Sequence, residues 1–244
     1  MTHYEVHGEA TGRAPVLLTH GFGATSQMWA PNLPALTAER QALTWDLRGH
    51  GRSDAPEQIT HDDCLADMAA LLDVLGAPRA VLCGMSLGGY LSLLFHLRHP
   101  ERVAALVLVD TGPGFRKDAA REEWNATAHR TADALEAEGL GVLPQTAEHA
   151  RAHHANGATG VARAARGILT QRDGAVIASL GEIAVPVLVV VGADDAPFLG
   201  AADVMEARIP RARKVVIADA GHAANMDRPE EFDAAVRDFL EENA

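Results

Sequence analysis

Cysteine, aromatic residues and positive charge are all scarce in this 244-residue chain, and each scarcity removes a class of explanation. There are only two cysteines, Cys64 and Cys83, and Cys83 sits inside an apolar run. A disulfide framework is therefore excluded, and a reducing setting is expected. Lys and Arg together number 21 against 33 Asp and Glu, for a formal net charge of −12. With no basic cluster beyond the short run Arg211, Arg213, Lys214, which reads as a solvated strand entrance, neither nucleic acid nor an anionic membrane is expected as a partner. No apolar run approaches the roughly 20 residues of a membrane span. None resembling a leader follows Met1-Thr2-His3-Tyr4, so a cytoplasmic location is expected. Aromatics make up 5% of residues, which favours a small pocket over a lipid–water interface.

What the chain does have is alternation. Short apolar runs at 4–7, 16–20, 42–46, 80–84, 104–110, 187–192 and 214–218 are separated by helical patterns. That arrangement predicts a mostly parallel open twisted sheet with helices on both faces, an α/β fold. Leu65, Met68, Leu72 and Leu75 make one apolar helix face, stopped by Gly76 and Pro78. Leu87, Leu91, Leu94 and Phe95 make another, stopped before Pro100. In the last helix Pro229 is a natural first residue and Phe232, Ala235, Val236, Phe239 and Leu240 form the buried stripe. From 111 to 184 no strand is expected, only Ala-rich helical stretches broken by Gly and Pro. This reads as a helical cap inserted in a core domain made of 1–110 and 185–244.

The chemistry is concentrated in Leu82-Cys83-Gly84-Met85-Ser86-Leu87-Gly88-Gly89-Tyr90, an apolar strand running through G-x-S-x-G into an amphipathic helix. A serine on that bend is held in a strained conformation with its hydroxyl clear of the sheet edge. The amide of Leu87 follows at the helix N-terminus, where it can stabilise an oxyanion. A serine hydroxyl needs a histidine base and a group to orient that base. The strand Val189-Val190-Val191-Gly192 ends in Ala193-Asp194-Asp195, and Ala218-Asp219-Ala220-Gly221-His222 places a histidine before the last helix. The candidates thus run in the order Ser86, then Asp195 or Asp194, then His222, with Asp110 at another strand end as a further acid. Val16-Leu17-Leu18-Thr19-His20-Gly21-Phe22-Gly23 supplies a second oxyanion donor, the Phe22 amide.

Other polar residues read as structural. His20 is expected to order the loop it begins, His50 to serve its Gly-His-Gly turn, and Asp46 to accept from backbone donors nearby. His149, His153 and His154 lack a third partner at metal-ligand spacing and read as a solvated cap helix. The Gly-rich turns match neither phosphate-loop nor dinucleotide spacing, so no cofactor and no metal is expected. Trp29, Phe115, Trp124 and Phe198 are candidates for lining a substrate pocket.

Four ordered segments, His20-Gly21-Phe22-Gly23, Asp46-Leu47-Arg48-Gly49-His50-Gly51-Arg52-Ser53, Gly84-Met85-Ser86-Leu87-Gly88-Gly89 and Gly221-His222, resemble the α/β-hydrolase fold superfamily over nearly the whole chain. The chain is most similar to its small serine hydrolases, such as carboxylesterases and enol-lactone hydrolases. Dehalogenases and epoxide hydrolases carry aspartate where Ser86 stands. The resemblance implies hydrolysis of a small carboxylic ester or lactone through an acyl-enzyme. Carbon–carbon bond hydrolysis or cofactor-free perhydrolysis by the same residues is the alternative, and a small-molecule receptor with residual activity lies further off. In similar sequences the acid stands three residues after the strand-ending glycine, which selects Asp195. Only one strand precedes Val16, so seven strands rather than the usual eight are expected.

Overall fold

The computed structural model describes residues 1–244 and contains one seven-stranded sheet. Its strands are β1 (Tyr4–His7), β2 (Val16–Thr19), β3 (Ala42–Trp45), β4 (Ala80–Met85), β5 (Val103–Val109), β6 (Val187–Gly192) and β7 (Ala212–Ile217). They lie in the order β1-β3-β2-β4-β5-β6-β7. Only β1 runs antiparallel, against β3; every other pair is parallel. Six helices are eight residues or longer: α1 (His61–Val74), α2 (Leu87–Arg98), α3 (Asp118–Glu138), α4 (Gly157–Ala164), α5 (Ala196–Arg208) and α6 (Pro229–Asn243). Strand boundaries differ from the apolar runs by at most two residues, and β7 begins at Ala212 because Ala212 and Arg213 pair with Val187 and Leu188.

The period of two along each strand divides the core into two layers. Leu17, Leu82, Leu106, Leu108 and Val189 point to one face, where they meet Leu65 and Met68 of α1, Leu91 and Phe95 of α2, and Met205 of α5. Their neighbours Leu18, Val81, Cys83, Val107, Val109 and Val190 point to the other, under Phe232, Val236, Phe239 and Leu240 of α6. Burying each such side chain contributes about 1.5–3 kcal/mol, so the stripe on α6 alone is enough to fix it against the sheet. Residues between β5 and β6 form no strand. Ala132 and Leu135 of α3 pack with Leu143 and with Val161, Ala162 and Ala165 around α4, giving this insertion a small core of its own. No helix is long and apolar enough to cross a membrane.

α5 is the one long core helix without a readable face in the sequence. Its buried residues are Ala202 and Met205, with Phe198 and Leu199 packed at the edge of the core. Those four do follow the i, i+4, i+7 spacing of one face, but Ala196, Ala201 and Val204 are apolar on the remaining faces and blur it in the sequence.

All parallel strands end on the same side of the sheet. Ser86 follows β4, Asp110 follows β5, Asp195 follows β6, and His222 follows β7. In open α/β sheets this carboxyl edge is where ligands bind.

Candidate active site

Ser86 has φ +50° and ψ −114° and caps the N-terminus of α2. A non-glycine residue with positive φ is strained, and such strain persists only where the surroundings impose it. Here they do. The Ser86 amide donates to Val109 O (2.9 Å) and Thr111 Oγ1 donates to Ser86 O (2.6 Å), pinning the bend to the end of β5. The flanking glycines are obligatory for a different reason. A Cβ on Gly84 would strike the Gly88 carbonyl, and one on Gly88 would strike the Thr19 carbonyl.

His222 Nε2 lies 3.0 Å from Ser86 Oγ, and its Nδ1 lies 2.8 Å from Asp195 Oδ2. With Asp195 accepting from Nδ1–H, the neutral ring presents its Nε2 lone pair to the serine hydroxyl. Burial works against a charged His222, but the hydrogen bond and charge of Asp195, with Asp110 and Glu148 farther off, outweigh it and raise the pKa above 6.5. Phe198 stacks on the ring, with centroids 4.8 Å apart and planes 27° from parallel. A hydroxyl, an imidazole and a carboxylate in one hydrogen-bonded line can move a proton off the oxygen as it attacks an electrophile.

The three candidate acids are now distinct. Asp195 is buried and faces His222; Asp194 is exposed, with its amide donating to Ala220 O. Asp110 is fully buried and instead accepts from the amides of Gly192 (2.8 Å) and Ala224 (2.9 Å). It thereby ties together the loop that carries Asp195 and the loop that carries His222. Burial, reinforced by the neighbouring Asp195, raises its pKa.

The Phe22 and Leu87 amides make no hydrogen bond within the protein. The loop holding Phe22 is gripped by four histidines. His20 Nδ1–H donates to Gly21 O (2.7 Å) while its Nε2 accepts from the Leu47 amide (2.9 Å). His50 Nε2 accepts from the Gly23 amide (3.0 Å). His149 Nε2–H donates to Phe22 O (3.0 Å), and His154 donates from Nε2 to Gly23 O (3.1 Å) while its Nδ1 accepts from the Gly51 amide (3.0 Å). A ring nitrogen that accepts an amide must be unprotonated. Burial enforces this by pushing His20 down to about 4 and His50 and His154 below their ordinary value. Asp46 completes the support, accepting from the Ser26 and Arg52 amides at 2.8 and 2.9 Å.

Two sequence expectations fail here. His149 and His154 are not on a solvated helix: residues 147–151 form turns, and both side chains are turned inward onto the Phe22 loop. His153 alone is exposed. Trp29 does not line a pocket. It is fully buried under α6, 6.3 Å from the Phe232 ring, in the core layer on that face of the sheet. Phe115 and Trp124 lie in the insertion with ring centroids 5.9 Å apart, and Trp124 Nε1 donates to Leu169 O. The grip of His149 on Phe22 joins residues 127 apart in sequence; no local pattern signals it.

Comparison with known proteins bears on the family and the fold. A family model described as "Alpha/beta hydrolase family" matches residues 16–235. The chain is 32% identical over 261 residues to the "Putative carbamate hydrolase RutD" of Caulobacter segnis, covering 98% of this chain and 96% of that one. Among solved structures, a thermophilic esterase from Thermogutta terrifontis matches with TM-score 0.85 at 30% identity, covering 99% of this chain and 93% of the other. The enol-lactonase of Burkholderia xenovorans matches with TM-score 0.79 at 28% identity, covering 98% and 96%.

Proposed function

The chain belongs to the alpha/beta hydrolase family, and from that premise we propose that it is a serine hydrolase cleaving a small carboxylic ester or lactone through an acyl-enzyme. The observation that carries the reading is the continuous hydrogen-bonded line Ser86 Oγ, His222, Asp195, with links of 3.0 and 2.8 Å. Ser86 attacks the carbonyl carbon as His222 Nε2 takes its proton. Asp195 holds the ring in the required tautomer and stabilises the imidazolium that forms. The Phe22 and Leu87 amides, unpaired in the resting protein, receive the negative charge that develops on the carbonyl oxygen. Each such donor contributes about 3 kcal/mol to the barrier reduction.

Collapse of the tetrahedral adduct transfers the His222 proton to the leaving alkoxide. A water, deprotonated by the same Nε2, then attacks the acyl-serine and returns Ser86 as a hydroxyl. Every proton is handled by groups of this chain. The relatives' names support the class: esterase, enol-lactonase and carbamate hydrolase all describe attack on a carbonyl flanked by a heteroatom. Residues 111–184 serve in this reading as a cap, with His149 and His154 joining it to the Phe22 loop and so to the oxyanion site.

The test is Ser86→Ala assayed with p-nitrophenyl butyrate. Turnover is expected to fall by a factor on the order of 10⁵ or more, with the circular dichroism spectrum and unfolding midpoint retained. Activity within tenfold of wild type would refute the assignment.

A further inference from the structure

Glu148 is a buried acid with no role in the chemistry above. Its side chain is only 5% exposed, yet its carboxylate makes no hydrogen bond and has no Lys or Arg within ion-pairing distance. The nearest cationic candidate is His149 Nδ1 at 3.7 Å. That nitrogen is already occupied: with Nε2–H donating to Phe22 O, Nδ1 accepts from the Thr146 hydroxyl at 2.7 Å. Neither carboxylate oxygen is among the fully buried unpartnered polar atoms, so both keep some contact with solvent, but a carboxylate this enclosed is ordinarily paired.

The partner's place is visible. Glu148 borders a cavity of about 250 Å³ whose other walls include Thr25, Met28, Pro31, Ala152 and Met226. At about 30 Å³ per water in the liquid, this volume holds a ligand fragment of several non-hydrogen atoms. None of the reacting groups lines the cavity, but two of its walls come from the segments that carry them. Thr25 belongs to the loop that carries Phe22, and Met226 lies in the short helical turn that follows His222. Glu148 is also near enough to His222 to favour its charged form.

We propose that this cavity is a subsite for a cationic nitrogen of the substrate, an alkylammonium group whose charge meets Glu148 and whose carbons meet the two methionines and the proline. The substrate assignment rests on the hydrolase reading above; the affinity for an ammonium group does not. An anion would be repelled by the carboxylate, and a divalent metal would find one carboxylate where it needs several oxygen ligands. The overall charge of −12 also draws cations towards the surface. Arg151, the other charged wall residue, is exposed and makes no ion pair.

The experiment compares n-butylammonium with n-butanol as ligands of the wild-type protein by calorimetry, and butyrylcholine with the uncharged isostere 3,3-dimethylbutyl butyrate as substrates. The ammonium ion is expected to bind about ten- to a hundredfold more tightly than the alcohol, the worth of a hydrogen bond to a charged group. kcat/KM should favour the choline ester by a smaller factor, about threefold, because its quaternary nitrogen has no N–H and meets Glu148 by charge alone. Both preferences should collapse in Glu148→Gln and persist in Arg151→Ala.

Equal binding of ammonium and alcohol to wild type would overturn the subsite whatever the variants do. So would a preference that emerges only in Arg151→Ala, because Glu148 would then be that arginine's partner. If the ammonium binds but neither ester is hydrolysed, the hydrolase reading fails and the cation site stands. If both esters are hydrolysed alike and the ammonium does not bind, the reverse holds.

Discussion

Acidification should erase the stability advantage that histidine at position 20 has over an uncharged side chain. In the unfolded chain His20 titrates near 6.5; in the fold, burial holds it near 4, with Asp46 opposing only in part. A depressed folded pKa means that the unfolded state takes up the proton first. The contribution is therefore intact above 6.5 and lost as pH falls through the interval down to 4. Between pH 7 and about pH 4.5, the two values give a loss of about 2.5 kcal/mol. The structural cause is specific: protonating Nε2 abolishes its acceptance of the Leu47 amide, and the charge has no water to enter.

The assay is urea unfolding of wild type and His20→Gln at several pH values, followed by fluorescence of the buried Trp29 and Trp45. Comparing the two proteins cancels the other titrating groups. This matters because Asp110 and Asp233, both raised by burial, act in the opposite direction. The stability difference between the two proteins should shrink by the stated amount towards acid. Parallel curves across the range would show that His20 does not titrate as a buried neutral base.

Further outcomes follow from the reacting groups. Because Asp195 raises the pKa of His222 above 6.5 and the base must be neutral, the acid limb of kcat/KM for an ester should be centred above 6.5. Asp195→Asn should lower kcat by about 10⁴, the cost of presenting the wrong tautomer, with the circular dichroism spectrum unchanged. His149→Ala removes the donor to Phe22 O and should lower kcat about tenfold, equivalent to one hydrogen bond, with KM nearly constant. His149→Gln, which can still donate, should recover part of that; an equal loss in both variants would mean that His149 only fills space.

Much of this architecture was readable from the residues because it is encoded locally. Alternating apolar residues such as Leu17 and Leu18 state which face each serves, and G-x-S-x-G specifies a bend that only glycine-flanked chains can make. What was not readable depends on direction. Asp194 and Asp195 are equivalent in the sequence; the pairing of the Asp194 amide with Ala220 O and of the Asp195 amide with Gly192 O turns one outwards and the other towards His222. Trp29 is a pocket candidate in the sequence only as an aromatic, and nothing local shows that its indole is laid into the layer under α6. The inward turn of His149 and His154 has no periodic signal, since the Phe22 and Gly23 carbonyls to which they donate lie more than a hundred residues away.

The order β1-β3-β2-β4-β5-β6-β7 also governs when this protein can begin to work. The proposed nucleophile Ser86 follows a central strand, whereas its proposed base His222 follows the outermost strand at the far edge. A nascent chain still lacking its final forty residues or so would have neither His222 nor the α6 stripe that covers one face of the sheet, and under the proposed mechanism would be chemically silent. Appearance of turnover during refolding would thus time the closing of the last ladder, making the enzyme its own clock for completion.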